Sequence, residues 1–377
     1  MTPTILIATG IMNAGGTESL IMETLRHRSA DVRYVMLIHY DGEAPKAGVF
    51  DDEIRNMGVP MYYIRSVGSL GIRGYINEFT RVMAHMSRAD ILHSHLNASG
   101  GVIAMAAKKC GIRYRICHCH ADIHFTGSFL YRIKQEMQLK VLKWLIDRNA
   151  TDMWACSDAA WRRLFMPWRK KVVVDNMIDA TLYLPSEDRR AAAKHKFGLE
   201  DRMVIGAVGR VAPIKNYEII LRALPAVPDA VFICFGRFSP DNAYCRRLVE
   251  LAASLDVSDR VVWAGNSNDI AGDIHCIDVF VMPSFTEGFG MAALEAQAAG
   301  IPSVLSSGIP SVVDLGLGLV KFINPGNTES WIGAIRDGLS MKAPGQDAIL
   351  DAFRRKGFNS PEAVRGIENR YIEIIKQ

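Results

Sequence analysis

Short apolar runs alternate with longer amphipathic segments along most of the chain. In the first half, runs suited to buried strands fall at Thr4–Ala8, Val32–Ile38, Met61–Ile64, Asp90–His93, Arg113–His118, Thr151–Ala155 and Lys171–Val174, with helical periodicity between most of them. A polar, charged stretch from Pro185 to Asp201 breaks the rhythm. It restarts at Met203–Val208, Ala230–Phe235, Arg260–Trp263, Val279–Met282 and Pro302–Leu305. Strand–helix alternation of this kind predicts an α/β fold of parallel, doubly wound sheets. Two Rossmann-like domains follow: 1–176, then 177–360, with a C-terminal helix at 361–377 crossing back to the N-terminal domain. A ligand is expected in the cleft between the domains, at the carboxyl ends of both sets of strands.

Length agrees with two domains, since 377 residues exceed one comfortable core. Hydrophobic residues make up 49% and charged residues 22%, which is globular composition and excludes a disordered chain. No apolar run is long enough to span a membrane, and the N-terminus passes directly into Thr4-Ile5-Leu6-Ile7-Ala8 without a basic leader, so a cytoplasmic protein is expected. The seven cysteines form no CxxC pair and mostly lie in apolar runs, as reduced core residues do.

The net charge of +4 is unevenly placed, the basic excess lying before Asp175. Much of it falls on Arg132, Lys134, Lys140, Lys143 and Arg148, and on the stretch from Trp161 to Lys171, where Arg162, Arg163, Arg169 and Lys170 alternate with Trp161, Phe165 and Trp168. Such interleaving suits an anionic membrane surface, nucleic acid or a solvated helix face.

The densest chemistry lies in Pro283-Ser284-Phe285-Thr286-Glu287-Gly288-Phe289-Gly290 and the helix pattern after it, which holds Met291 and Glu295. A strand, a glycine-punctuated turn and a helix start leave backbone N–H groups facing an anion. Glu287 on the turn and Glu295 two helical turns on would accept protons from hydroxyls. Phosphate plus hydroxyls describes a nucleotide sugar. At another strand end, Gly209-Arg210 and Lys215-Asn216 can bring two cations to one phosphate. After the first strand, Gly15-Gly16-Thr17-Glu18 permits close backbone approach, but its spacing is not that of the dinucleotide fingerprint. His93, His95, His118 and His120 lie at two strand ends. Alternation puts His118 and His120 on one face and Cys117 and Cys119 on the other, so these four cannot form one tight metal site, and no metal is expected. Ser157 before Asp158 and a helix reads as an N-cap.

Together, Gly209-Arg210, Lys215-Asn216, Pro283-Ser284, Glu287-Gly288-Phe289-Gly290 and Glu295 resemble the signature of family 4 of the retaining GT-B glycosyltransferases, supported by Gly15-Gly16-Thr17-Glu18, Cys156-Ser157 and Asp175-Asn176-Met177-Ile178-Asp179. Within that family, Ile116-Cys117-His118-Cys119-His120 after His93-Ser94-His95 is most similar to enzymes of bacterial exopolysaccharide or capsule synthesis. The resemblance implies a GT-B fold with an acceptor-binding N-terminal domain and a nucleotide-sugar C-terminal domain. It implies a retaining hexosyltransferase that uses a UDP-linked donor and needs no metal or other cofactor. Arg210 and Lys215 would neutralise the donor diphosphate and Glu287 would hold hydroxyls of the transferred sugar. The donor would also meet Gly15, Gly16, Gly288, Phe289, Gly290 and Met291, while Glu295 would grip the ribose. His120 would contact the reacting sugar, with His118 and His95 as neighbours on the sugar or acceptor. The acceptor is expected to be a glycan, lipid-diphosphate-linked, met at the inner face of the plasma membrane by a peripheral enzyme that binds no nucleic acid. Two alternatives share the architecture: a nucleotide-sugar 2-epimerase and a non-catalytic partner subunit. Front-face transfer and double displacement both remain open for the chemistry.

Overall fold

The computed structural model describes residues 2–376 except 14, 87, 121, 122, 124 and 126. Ala14 of the first glycine loop therefore lies outside the described residues. The chain divides into two compact units, Met1–Met177 with Ser360–Gln377, and Ile178–Asn359.

The first unit holds β1 (Thr4–Thr9), α1 (Gly16–Arg26), β2 (Arg33–Tyr40), α2 (Asp51–Asn56), β3 (Met61–Arg65), α3 (Val67–Ala84), β4 (Ile91–Ser94), α4 (Gly100–Lys109), β5 (Tyr114–Cys119), α5 (Phe129–Asn149), β6 (Asp152–Ala155), α6 (Asp158–Leu164) and the short β7 (Val172–Val173). All strands pair in parallel in the order β3-β2-β1-β4-β5-β6-β7, a doubly wound sheet whose order reverses beside β1. Alternation along each strand divides the core. Leu6, Ala8, Val35, Leu37, Cys117 and Cys119 pack on one face, and Ile5, Ile7, Tyr34, Met36, Ile38 and Ile116 on the other. The last helix of the chain, Ser360–Lys376, belongs to this unit and seats Val364, Ile367, Tyr371 and Ile374 against the second face. Its Glu368 is buried yet accepts from Tyr34 Oη at 3.1 Å and Ser29 N at 3.1 Å, which compensates its desolvation.

The second unit holds α7 (Glu187–Phe197), β8 (Met203–Val208), α8 (Glu218–Ala223), β9 (Ala230–Phe235), α9 (Ala243–Ser254), β10 (Val261–Gly265), α10 (Ile270–Asp273), β11 (Val279–Met282), α11 (Met291–Ala298), β12 (Ser303–Ser306), β13 (Val320–Ile323), α12 (Thr328–Leu339) and α13 (Gln346–Lys356). The Ser360–Lys376 helix of the first unit is α14. Strand order is β10-β9-β8-β11-β12-β13, again all parallel. Strand β13 is absent from the expected set, because Leu315-Gly316-Leu317-Gly318-Leu319 before it reads as loop and the strand itself is only half-buried.

Local signals behave as their chemistry requires. Ser157 Oγ accepts from Ala160 N at 3.2 Å, so it caps α6 as expected. The cysteines form no disulfide among the described residues, and all but Cys110 are buried.

Candidate active site

The expected donor residues gather at the carboxyl ends of β8 and β11, within the second unit. Strand β8 runs out at Val208, and Gly209 takes a left-handed φ of 150° before Arg210. The neighbouring turn requires glycine for space as well: a Cβ on Gly236 would lie 2.1 Å from the Gly209 carbonyl oxygen. Gly209 N donates to Phe235 O at 2.7 Å, and Tyr217 Oη donates to Gly209 O at 3.2 Å, so the turn that presents Arg210 is fixed on two sides. Arg210 itself is exposed.

Lys215 ends a one-turn 3₁₀ segment, after which Asn216 adopts the left-handed conformation, φ 54°. The Asn216 amide donates to Pro283 O at 3.3 Å and Pro325 O at 2.9 Å, and Phe285 N donates to Ile214 O at 2.9 Å. These bonds lash the Lys215 loop to the turn after β11. In consequence Lys215 Nζ reaches Glu287 Oε1 at 2.6 Å, and Ser284 Oγ donates to the same oxygen at 2.5 Å. Both partners of the ion pair retain some solvent access, 18% and 17% of the side chain. Among the described residues Glu287 Oε2 makes no hydrogen bond, so it is the oxygen that can take up a ligand hydroxyl.

Gly290 caps α11 at φ 112° with no side-chain bond to the first turn, which leaves the helix N-terminus to be met by an anion. The Phe289 ring is buried in the core, edge-on to Phe358, which leaves its backbone as the part at the turn. Met291 is half-buried and Glu295 lies on α11 with 9% exposure. Arg237, on the β9 turn, is exposed and serves through its carbonyl, which accepts from Val211 N at 3.2 Å.

A cavity of about 620 Å³ in the same unit lies at the opposite, amino ends of the strands, lined by Met203, Asp278 and Pro302 among others. Its Asp278 is already matched, Lys194 Nζ lying 3.0 Å from Oδ2 with Arg190 on the other oxygen. The strand tips, where cations, a carboxylate and the N-terminus of α11 lie, remain the candidate site.

The first unit carries a different constellation. In the parallel pairing of β4 with β5, His93 aligns with Ile116, so His93, His95, His118 and His120 share one sheet face as a box of four imidazoles. His93 Nε2 and His118 Nδ1 are 3.1 Å apart, and His95 Nδ1 and His120 Nε2 are 2.8 Å apart. Tyr371 Oη of α14 meets His93 Nδ1 at 2.6 Å, Trp154 packs edge-on against His93, and Asn97 Oδ1 accepts from the His120 amide at 2.8 Å. Burial drives every member toward the neutral form: His93 and His120 fall to about 3, and His95 and His118 well below their usual range with help from neighbouring imidazoles. The ring nitrogens of His93, His95 and His118 lie within 4.8 Å of one another, the donor number of a three-histidine metal site. Both ring nitrogens of His93 are engaged, Nε2 by His118 Nδ1 and Nδ1 by Tyr371 Oη, so a metal that took His93 would have to break one of those bonds. Cys117 and Cys119 pack on the opposite face, as alternation requires. Among the described residues His118 Nε2 and His120 Nδ1 are buried without a partner.

Sequence reasoning missed Tyr217, Asn97, Trp154 and Tyr371. Only Tyr217 carried a local signal, its place directly after the Lys215-Asn216 pair. At Gly15 and Gly16 the glycines open α1, and a Cβ on Gly15 would lie 2.4 Å from Glu18 Oε2. Burial raises the Glu18 carboxyl. Of the three readings of the stretch from Trp161 to Lys171, the contacts favour a solvated helix face with buried stems. Trp161 and Phe165 are buried, Arg163 is held by Glu136 at 2.6 Å, Arg169 by Asp147 at 2.7 Å and Lys171 by Asp158 at 2.7 Å. Trp168 is exposed, but most of the charge is spent within the protein.

Residues 202–340 match the family model described as Glycosyl transferases group 1, a span that contains Arg210, Lys215, Glu287 and Glu295. The chain is 28% identical over 367 residues to the putative glycosyltransferase EpsF of Bacillus subtilis (strain 168), covering 96% of this chain and 94% of that protein. It is 25% identical over 281 residues to the UDP-Gal:alpha-D-GlcNAc-diphosphoundecaprenol alpha-1,3-galactosyltransferase of Escherichia coli, covering 70% of this chain and 69% of that one. Among solved structures, Anabaena Alr3699/HepE, crystallised in complex with UDP and glucose, superposes with a TM-score of 0.80 at 20% identity over 98% of this chain and 100% of its own.

Proposed function

Because the chain carries a Glycosyl transferases group 1 domain and is built, like its GT-B structural neighbours, from two Rossmann-like parallel-sheet units, we propose that it is a retaining hexosyltransferase of surface polysaccharide synthesis. The donor is a UDP-linked sugar and the acceptor a glycan on a lipid diphosphate. That relatives and neighbours so named include a UDP-sugar enzyme acting on a diphosphoundecaprenol acceptor and a UDP complex supports this choice. The observation that carries the proposal is the Lys215–Glu287 pair beside the glycine turn that opens α11, with Arg210 at the end of the neighbouring strand β8.

In this reading the acceptor hydroxyl attacks the anomeric carbon, the bond from that carbon to the diphosphate oxygen breaks, and the proton passes to the leaving phosphate oxygen. Arg210, Lys215 and the α11 amides meet the charge that grows there, so no metal or other cofactor is required. Lys215 is already held against Glu287, which fixes its ammonium near the sugar end of the donor. Glu287 Oε2 accepts from a sugar hydroxyl and Glu295 from the ribose diol. Gly15 and Gly16 lend backbone amides to the donor. His120, flanked by His95 and His118, contacts the sugar as a neutral hydrogen-bonding group. The enzyme works as a peripheral protein at the inner face of the plasma membrane. Among the described residues no helix is long and apolar enough to cross a membrane.

Nucleoside diphosphate release from a panel of nucleotide sugars tests this reading. Release that depends on a lipid-diphosphate glycan is expected. Release without any acceptor would favour the epimerase alternative, and none with any donor would favour the silent subunit.

A further inference from the structure

Helix α5 has two apolar faces, and only one is used. At 100° per residue, Leu139, Leu142, Leu145 and Ile146 point one way and pack on the first unit's core. The fit is close: a Cβ on Gly101 of α4 would lie 2.7 Å from Ile146 N and 2.9 Å from Leu145 Cβ. Phe129, Leu130, Ile133, Met137, Val141 and Trp144 fall within about 120° of arc on the far side. They are exposed, Phe129 at 74%, Leu130 at 77% and Met137 at 63%. Scattered exposed apolar residues need no explanation, but six in one continuous stripe over four helical turns form a patch.

Charge decides what covers it. Arg132, Lys134, Lys140 and Arg148 stand exposed on the same helix, and among the described residues none is held in an ion pair. The helix's two acids are both consumed, Glu136 by Arg163 and Asp147 by Arg169. Arg148 lies 5.5 Å over the Trp144 ring. The Arg169–Asp147 pair also brings exposed Trp168 to the end of the helix. An apolar stripe bordered by unpaired cations, with aromatic residues near both ends, matches the interface of an anionic bilayer: apolar side chains enter the acyl boundary while cations meet lipid phosphates.

We propose that the exposed face of α5 is the surface by which this protein docks on anionic lipid, inserting Phe129, Leu130, Ile133, Met137, Val141 and Trp144. This deepens, and rests on, the peripheral-membrane part of the functional reading, and it moves the contact from the stretch at 161–171 to α5.

The test uses the full chain with phosphatidylglycerol-containing phosphatidylcholine vesicles and with pure phosphatidylcholine vesicles in co-sedimentation. Wild type should bind the anionic vesicles preferentially. Met137→Glu with Trp144→Glu, and separately Phe129→Ser with Leu130→Ser, should each weaken binding by at least about tenfold. Arg162→Gln with Lys170→Gln should change it by less than about twofold. Brominated lipids should quench the wild type, and Trp144→Phe should lose most of that quenching. Retained binding in both stripe variants overturns the proposal. So does a wild type that ignores lipid but dimerises through the stripe, seen as a monomeric stripe variant in sedimentation velocity. Donor turnover on a water-soluble glycan, measured in parallel, reports folding and tests the transferase reading separately, since these exposed residues are outside the donor site.

Discussion

At the strand tips of the C-terminal unit full charges are held partly open to solvent, whereas on the N-terminal sheet four mostly buried imidazoles meet one another with no charged partner among the described residues. Lys215 and Glu287 satisfy each other at 2.6 Å and stay partly open to a ligand that carries charge. The histidine box has the reverse design, since burial holds His93 and His120 near 3 and neutral at physiological pH. Under the proposed function, growing negative charge on a leaving diphosphate would be met by fixed cations, and sugar hydroxyls by neutral groups that donate and accept. One unit is built to stabilise charge and the other to exclude it.

The comparison breaks first if the cations are dispensable. Arg210→Ala and Lys215→Ala should each remove about 2 to 4 kcal/mol of transition-state stabilisation, read as a fall in kcat/KM with the fold intact. Wild-type kinetics in either variant would remove charge stabilisation from the C-terminal tips.

Acid sharpens the contrast next. His39, bonded to Thr9 O at 3.0 Å and Tyr75 Oη at 2.7 Å, is pushed down to about 4 by burial. Above the unfolded value of about 6.5 both states are neutral and the contribution is complete. As pH falls below that value the unfolded chain takes up a proton that the folded chain refuses, so stability is lost progressively until about pH 4. The loss from His39 alone is about 3 kcal/mol, and His93 and His120 act in the same direction. In the C-terminal unit only His275 is comparably depressed among the described residues. Carboxylates titrate in both units, so the difference between units is the readout. Hydrogen exchange at pH 7 and pH 4.5 should show the N-terminal amides losing more protection, and equal losses would contradict the contrast.

Two tyrosines give the smallest effects. Tyr371→Phe strips the partner from His93 Nδ1 and should cost about 1 to 2 kcal/mol, while Tyr217→Phe, which leaves the Gly209 carbonyl only the long contact from Cys234 Sγ at 3.9 Å, should cost about 1 kcal/mol. Urea midpoints at unchanged slope measure both. The Tyr217 change should also lower turnover, because Gly209 presents Arg210.

Much of this was legible because most of the strands are short apolar runs, the central ones buried on both faces, and their ends fall within a residue or two of the runs. Glycines at 209 and 290 mark turns for the same local reason, their positive φ. What was not legible depends on contacts distant in sequence. Lys215 and Glu287 are visible as motifs, but their ion pair spans two loops that Asn216 ties together. The histidines share a face by alternation, yet their pairing follows from the β4–β5 register and from a tyrosine on α14. Residues 161–171 suggested an open basic surface because sequence does not reveal that Glu136, Asp147 and Asp158 absorb it. On α5 the two opposed apolar faces cancel as an amphipathic signal, which hid the stripe.

The central claim is that protein cations, not a metal, meet the leaving diphosphate. Acceptor-dependent release of UDP by the wild-type chain, followed in excess EDTA and again with added magnesium or manganese, tests it most directly. Equal rates under all three conditions, together with loss in Arg210→Ala, are predicted. A rate abolished by EDTA and restored by the metal would contradict the account.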